Sequence, residues 1–191
     1  MKSLVLGTIL GGLVAFLWSS VSWEVIGWHE KTLQTFQNED EVSAVIASHA
    51  SKSGVYLLPG GPSTAGMSAE QKKATEEAVM AKMQKGPIMF AAVRREGFGS
   101  LAQGMIKQLL CQMAAALLLT WLLMQTGGLS YFKRVVFLGV VGLSASVIAD
   151  LPNWNWWGFS AAYTALMLVD YTLTWLLAGL VIAKVVKPRT A

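Results

Sequence analysis

The chain has 191 residues and a formal net charge of +4, with 54% hydrophobic and only 14% charged residues. This composition excludes an ordinary water-soluble domain and a disordered chain, because both need more polar and charged residues. It predicts an α-helical integral membrane protein. The single cysteine, Cys111, excludes a disulfide bond within the chain.

Residues 3–23 carry no charged side chain, and this length is enough to cross a hydrocarbon core of about 30 Å at about 1.5 Å per residue. Residues 1–23 are therefore predicted to form the first transmembrane helix. A cleaved signal peptide is the alternative, because small serine side chains near the end of the run suit a cleavage site. Small residues at every fourth position predict a face for helix packing, and they are Gly7, Gly11 and Ala15.

Residues 24–104 are predicted to form a small extracytoplasmic α/β insertion, because the segment is too long for a hairpin. Capping patterns predict helices that begin after Asn38 and Ser68. Gly54 and Gly86 follow as terminators of these two helices.

Apolar runs at 55–58 and 87–93 predict two strands in the insertion. A helix lies between them, so a parallel pair joined by a right-handed crossover is expected. Two strands alone make a weak sheet and need cover. Residues 23–36 contain no evident helix breaker, so the first helix is expected to continue out of the membrane and supply some of that cover.

Residues 105–191 are predicted to contain three more transmembrane helices and a cytoplasmic tail. The apolar segments are 108–132, 135–151 and 159–183. The middle segment is short and ends near Pro152, so a re-entrant loop is its alternative. Its small residues, Gly139 and Gly142, predict close helix packing.

The charges are distributed unevenly along the chain. Residues 24–107 hold nine basic and nine acidic side chains, whereas the ends predicted to face the cytoplasm hold six basic and no acidic ones. This asymmetry predicts that both termini are cytoplasmic. It also argues against nucleic acid as a partner, because scattered cations form no basic groove. The six basic residues are Lys2, Lys133, Arg134, Lys184, Lys187 and Arg189.

Asp170 is the main candidate site residue, because a carboxylate near the middle of a span costs several kcal/mol unless it is neutralised, hydrated or hydrogen-bonded. Gln112, Ser144 and Ser146 are expected at a comparable depth, with Thr174 one turn along the helix. One hypothesis is a protonatable site that relays a proton or binds a cation or a ligand group. The favoured alternative is a structural, protonated aspartate, because no second titratable partner is predicted beside it.

A second candidate region lies between the third and fourth spans. Asp150 and three tryptophans, Trp154, Trp156 and Trp157, are predicted to form a turn there. Anchoring at the membrane interface is the simpler interpretation. The alternative is an aromatic platform for a lipid, a quinone, a pigment or a partner protein.

His29 lies just beyond the first span with Glu24 and Glu30 nearby, so it is a weak candidate for a metal ion or a pH-sensitive contact. His49 is expected on the core-facing side of another helix. No spacing of cysteine and histidine resembles a zinc motif, and the sequence implies no particular cofactor.

Three segments resemble small bacterial inner-membrane proteins of unknown function, namely WHEKTLQTFQNEDEV, GPIMFAAVRREG and PNWNWWGFSAAYT. The resemblance covers most of the chain. It implies a bacterial inner membrane as the setting, but no substrate, cofactor or catalytic residue.

The leading functional hypothesis is a non-catalytic accessory or scaffold subunit of a larger inner-membrane complex, with an energy-converting assembly as one host. Its partners would be the lipid bilayer and other membrane subunits or a second copy. The alternative is a binding or transport protein with an outward-opening site formed by Asp170 and the 154–157 turn. A membrane enzyme comes third, because no catalytic set is evident.

Overall fold

The computed structural model describes residues 1–187. In chain order the elements are α1 (Lys2–Ser20), α2 (Glu39–His49), β1 (Gly54–Leu58), α3 (Ala69–Lys85), β2 (Met89–Val93), α4 (Leu101–Met124), α5 (Tyr131–Trp157) and α6 (Ala161–Val185). They divide into two compact units. The first comprises Met1–Gln34 and the described residues from Ser100 onward, and the second is Thr35–Gly99.

Four helices of the first unit are long and apolar enough to cross a membrane. They are α1 with its π-helical continuation to Val25, α4, α5 and α6. The chain is therefore a multi-pass membrane protein. The expected insertion, 24–104, is longer than the compact second unit, because residues 24–34 and 100–104 belong with the apolar helices.

The second and third spans differ from the predicted segments. A turn separates α4 from α5 within the run predicted as one span, and its Gly128 adopts a φ of +67°, which favours glycine. Lys133 therefore lies in the first turn of α5 rather than at the end of α4. Pro152 does not end the third span, since α5 continues through it and ends at Gly158, which adopts a left-handed conformation.

In this unit α1 packs against α4 and α6, and α5 packs against α6, whereas α4 touches α5 only slightly. Glycine permits the close approach of α1. A Cβ atom at Gly7 would lie 2.5 Å from Thr120 Cγ2 of α4, and one at Gly11 would lie 2.6 Å from Ile182 Cδ1 of α6. Ala15 on the same face is fully buried. The strip of small residues thus lies where α1 meets two other helices.

Glycines also bring α5 close to α6. A Cβ atom at Gly139 would lie 2.5 Å from Leu176 Cδ2, and one at Gly142 would lie 2.6 Å from Trp175 Cδ1. At the start of α5, the guanidinium of Arg134 donates a hydrogen bond to the carbonyl of Val186. This bond satisfies a carbonyl at the end of α6 that has no partner within its own helix.

The second unit contains both strands, and they are antiparallel rather than parallel. Leu58, at the end of β1, pairs with Met89, at the start of β2. The ten-residue connection 59–68 explains this direction. When extended, it spans roughly the same distance as α3, which is about 26 Å long. Loop and helix together therefore bring the start of β2 back beside the end of β1. The predicted capping is confirmed, since Asn38 accepts a hydrogen bond from the amide of Glu41 and Ser68 forms a capping box with Gln71.

A polar cluster lies at one end of this sheet, where β1 begins and β2 ends. Ser53 Oγ donates to the carboxylate of Glu96 and accepts from the backbone amide of Arg95 at 2.9 Å. The Arg95 guanidinium donates to the Ser51 carbonyl at 3.0 Å. The hydrogen bond from Ser53 is the main cause that lowers the pKa of Glu96 below its usual value, with smaller contributions from its own backbone and from nearby arginines.

Candidate functional site

The site begins where the regular part of α1 ends. The amide of Ile26 donates to the carbonyl of Val21 at 3.0 Å, which closes a π-helical turn over Val21–Val25. Gly27 then adopts a φ of +66° and ends the helix. The expected continuation over residues 23–36 was therefore wrong. Single π-helical turns often occur at functional sites, and here the break folds the next residues back onto the end of α1.

This reversal places His29 inside the first unit, with 1% of its surface exposed. Its Nε2 atom lies 3.0 Å from Ser22 Oγ of the π-helical turn and 3.3 Å from Asp170 Oδ2 of α6. Ser22 is also fully buried, and its Oγ accepts a hydrogen bond of 3.0 Å from the indole of Trp28. One imidazole nitrogen thus links the end of α1 to the middle of α6.

Asp170 is 5% exposed and contacts two ring nitrogen atoms, one from α1 and one from the segment that follows it. Its Oδ1 atom accepts a hydrogen bond of 2.8 Å from Trp18 Nε1, and its Oδ2 atom faces His29. From the sequence, neither Trp18 nor His29 is expected beside Asp170, and no titratable partner is predicted there. His29 is such a partner. A straight continuation of α1 would place it away from Asp170, but the chain reverses at Gly27.

The donors and acceptors around His29 indicate which imidazole nitrogen carries the proton. Trp28 already donates to Ser22, and Asp170 is an acceptor, so Nε2 satisfies both oxygens best as a donor. We therefore assign the proton of His29 to Nε2. The other nitrogen, Nδ1, is buried without a hydrogen-bond partner among the described residues. As a bare acceptor it costs less than an unpaired N–H donor would.

Aromatic rings enclose the imidazole. The Trp23 ring stacks on His29 with centroids 3.8 Å apart and an interplanar angle of 3°. Trp28 meets the imidazole edge-on at 5.9 Å. Such apolar surroundings lower the local dielectric constant, so the hydrogen bonds between His29, Ser22 and Asp170 are electrostatically stronger than they would be in water.

The arrangement of Ser22, His29 and Asp170 is not that of a catalytic triad. In a triad the serine and the aspartate contact opposite nitrogens of the imidazole, so that the base can accept the hydroxyl proton while the carboxylate orients it. Here both oxygens contact the same nitrogen. The acidic side chain in contact with His29 is Asp170 rather than one of the neighbouring glutamates. No group of three potential metal ligands occurs within residues 1–187.

Asp170 lies on the wall of a cavity of about 670 Å³ formed by α1, α4, α5 and α6. This volume is within the range of small-molecule sites in proteins. The cavity exists because α4 and α5 touch only slightly. Its polar lining residues are Ser19, Ser20, Glu24, Gln108, Gln112, Asp170 and Thr174, and its aromatic ones are Phe16, Trp23, Tyr171 and Trp175.

Of the residues predicted to surround Asp170, the structure brings only some together. Gln112 lines the cavity and donates a hydrogen bond of 3.1 Å to Ser19 Oγ, which joins α4 to α1. Thr174 also lines it, and its hydroxyl donates to the backbone carbonyl of Asp170 at 2.7 Å. Gln112 and Thr174 are thus the predicted neighbours that line the same cavity as Asp170.

The two serines of α5 lie elsewhere. Ser146 is buried and donates to the carboxylate of Asp150, one turn along its own helix. Ser144 is exposed and donates to the carbonyl of Val140 at 2.9 Å. Helical periodicity therefore turns both hydroxyls toward partners within α5, and neither serine lines the cavity.

The three tryptophans between the last two spans belong to the final turn of α5 rather than to a loop. Trp154 is 50% and Trp156 is 68% exposed. Neither of them, nor Trp157 or Asp150, is among the described residues that line the cavity. The predicted site that combined this aromatic region with Asp170 is thus separated into two regions.

Chemically, the centre combines a buried carboxylate, two ring N–H groups directed at it, and an adjacent cavity large enough for a ligand. It offers acceptor atoms to a proton or to a donor group that enters the cavity. No family model, curated protein or solved structure matches the chain.

Proposed function

We propose that the chain is a membrane binding or transport protein whose site is the cavity beside Asp170. The observation that carries this proposal is a carboxylate with 5% exposure on the wall of a cavity of about 670 Å³. Removing a carboxylate from water among membrane helices costs free energy that its partners must offset. A binding role gives a reason for that cost.

Helix assembly does not explain the carboxylate equally well. The helices of this unit meet mainly through small and apolar side chains, such as Gly11 against Ile182 and the buried Ala15, Leu138 and Ala178. Such contacts are sufficient for close packing in a bilayer. Such contacts do not require an acidic group at the edge of a cavity, whereas that group adds charge recognition to a binding site.

His29 supplies the second titratable group whose expected absence favoured the structural interpretation of Asp170. His29 Nε2 and Asp170 Oδ2 lie 3.3 Å apart, so the two side chains are in direct contact. A proton or a cationic group that reaches Asp170 from the cavity therefore meets a carboxylate held in place by the ring nitrogens of Trp18 and His29. This supports binding at the pair rather than at an isolated acid.

We also propose a bacterial inner-membrane location with both termini in the cytoplasm and the unit Thr35–Gly99 outside. The positive-inside distribution of basic residues supports this orientation. The contact of Arg134 with the Val186 carbonyl adds support, because it brings basic residues of α5 and α6 to the same end of the bundle. Arg189, counted in that distribution, lies outside the described residues.

Native purification in mild detergent tests the binding proposal. Mass spectrometry of small molecules retained by the wild type, Asp170→Asn and Asp150→Asn would be compared. We expect a molecule retained by the wild type and by the control variant Asp150→Asn, but lost from a folded Asp170→Asn. Retention of the same molecules by Asp170→Asn, or none in the wild type beyond bulk lipid, would contradict the proposal.

A second candidate function is that of an accessory or scaffold subunit. The favouring observation is that α4 packs chiefly on α1 and exposes large apolar side chains, including Leu110, Leu118 and Trp121. Lipid or a helix of another subunit can cover this surface. Fixed protein partners that co-purify in mild detergent would favour this function, and a stable monomer that retains a small ligand would favour the first.

A further inference from the structure

We propose that the cavity beside Asp170 binds an amphiphilic cation, meaning a molecule with a protonated amine at one end of an apolar body. This inference rests on the proposed function and specifies the chemistry of its ligand. It depends on three observations: the sign of the charges that line the cavity, the aromatic rings in its walls, and the hydrogen bonds that His29 makes beside it.

The charges of the cavity have one sign. Its formally charged lining residues are Glu24 and Asp170, and no lysine or arginine occurs among the described residues of the wall. A cationic group that enters can pair with a carboxylate there. An anionic head group would instead be repelled by both acidic side chains, most strongly by the buried Asp170. Charge complementarity therefore selects a cation.

The remaining walls suit both parts of such a molecule. Trp23, Tyr171 and Trp175 present aromatic rings, whose faces attract ammonium groups, most strongly when water is excluded. Met105 and Met167 contribute flexible apolar surface that adapts to irregular aliphatic chains. A small inorganic cation would leave this apolar lining uncovered, whereas an amine with an apolar body would cover it.

The hydrogen bonds of His29 allow Asp170 to change partners. The imidazole Nε2 is closer to Ser22 Oγ, at 3.0 Å, than to Asp170 Oδ2, at 3.3 Å. An ammonium group can thus replace it as donor to Oδ2 while His29 keeps its contact with Ser22. Trp18 holds the other oxygen in place during this exchange. The site therefore accepts the cation without leaving a buried donor unpaired.

The experiment uses three probes of equal chain length and different charge: decylammonium, decanol and decanoate. Full-length protein in phosphatidylcholine nanodiscs is titrated calorimetrically, and the signal of empty nanodiscs is subtracted. We expect saturable binding of decylammonium with an affinity about tenfold or more above that of either other probe. Asp170→Asn should remove most of this preference, whereas Asp150→Asn should retain it.

A variant with a filled cavity separates this inference from the proposed function. Ala145 lines the cavity, and Ala149, one turn along α5, does not; both are exposed. Ala145→Phe should abolish saturable binding, and Ala149→Phe should leave it unchanged. Equal binding of all three probes, lost in Ala145→Phe, would overturn the cation inference but not the binding function. No saturable binding of any probe, or none sensitive to Ala145→Phe, would overturn both.

Glu24→Gln provides a second measurement if Asp170→Asn fails to fold, because Glu24 is exposed and its replacement disturbs no buried contact. It should weaken decylammonium binding about threefold and leave decanol unchanged, since an exposed carboxylate attracts a cation only modestly. Unchanged decylammonium binding in Glu24→Gln, together with equal affinities of the three probes for the wild type, would overturn the inference.

Discussion

His29 Nε2 lies 3.3 Å from Asp170 Oδ2, and this contact joins the segment after α1 to the middle of α6. Both side chains are almost completely buried, so removal of either one leaves the other without its partner in surroundings of low dielectric constant. The pair should therefore stabilise the first unit in addition to its proposed role in binding. Variants of His29 and Asp170 test both roles.

His29→Ala should destabilise the protein by about 2–4 kcal/mol, because it removes a buried ring and leaves Asp170 Oδ2 without its donor. Thermal unfolding in nanodiscs measures the effect. The other histidine offers a matched control, since His49 is exposed at the end of α2. His49→Ala should change stability by less than about 0.5 kcal/mol, and equal effects of the two variants would contradict the structural importance of the pair.

Trp18→Phe keeps an aromatic ring but removes the N–H group that donates to Asp170 Oδ1 at 2.8 Å. Loss of a hydrogen bond to an acidic side chain should cost about 1.5–3 kcal/mol. Trp121→Phe serves as control, because Trp121 is 54% exposed on α4. If both variants unfold at the temperature of the wild type, the bond from Trp18 does not stabilise Asp170.

Gly11→Val should weaken the packing of α1 on α6, because even a Cβ atom at this position would lie 2.6 Å from Ile182 Cδ1. Overpacking of this kind costs about 1–3 kcal/mol. Leu10→Val introduces the same residue at the neighbouring exposed position and should have little effect. Resistance to unfolding by a denaturing detergent compares the two, and a Gly11→Val variant as resistant as Leu10→Val would argue against close contact at this face.

Ser53→Ala should raise the pKa of Glu96 toward its usual value, because the Ser53 hydroxyl is the main cause of its lowering. The lowered pKa means that ionised Glu96 stabilises the folded second unit at pH values above the ordinary carboxyl pKa. This contribution is lost as the pH falls through the pKa of the folded state. Ser53→Ala should reduce this acid dependence.

Titration of the Glu96 carboxyl by nuclear magnetic resonance in the full-length protein measures that change. Ser48→Ala is the control, because the Ser48 hydroxyl donates to the Val45 carbonyl within α2 rather than to Glu96. A Glu96 titration that is the same in Ser53→Ala and the wild type would show that the hydroxyl does not stabilise the carboxylate.

Local patterns in the sequence determined much of the architecture. Long uncharged apolar runs predict helices that cross a membrane, and residues 1–187 contain four helices long and apolar enough to do so. The caps at Asn38 and Ser68 are likewise formed as predicted, because a capping bond joins residues only three apart. Such features need no knowledge of distant parts of the chain.

Some helix boundaries were misplaced for equally local reasons. Gly128 lies within a long uncharged run, so the absence of charge alone did not separate α4 from α5. Pro152 indicated a helix end, yet a proline removes only one donor and α5 continues past it. The direction of the two strands depended on the path of a loop, which composition does not specify.

Only the tertiary structure decided which groups surround Asp170. The sequence identified the acid as unusual for a membrane helix, but its partners come from α1 and from the reversed segment after Gly27. Their positions depend on how α1 packs on α6. They also depend on the helix break at Gly27, which turns His29 back toward Asp170. Contacts between distant segments follow from this packing, whereas the periodicity of one helix reports only which of its own residues share a face.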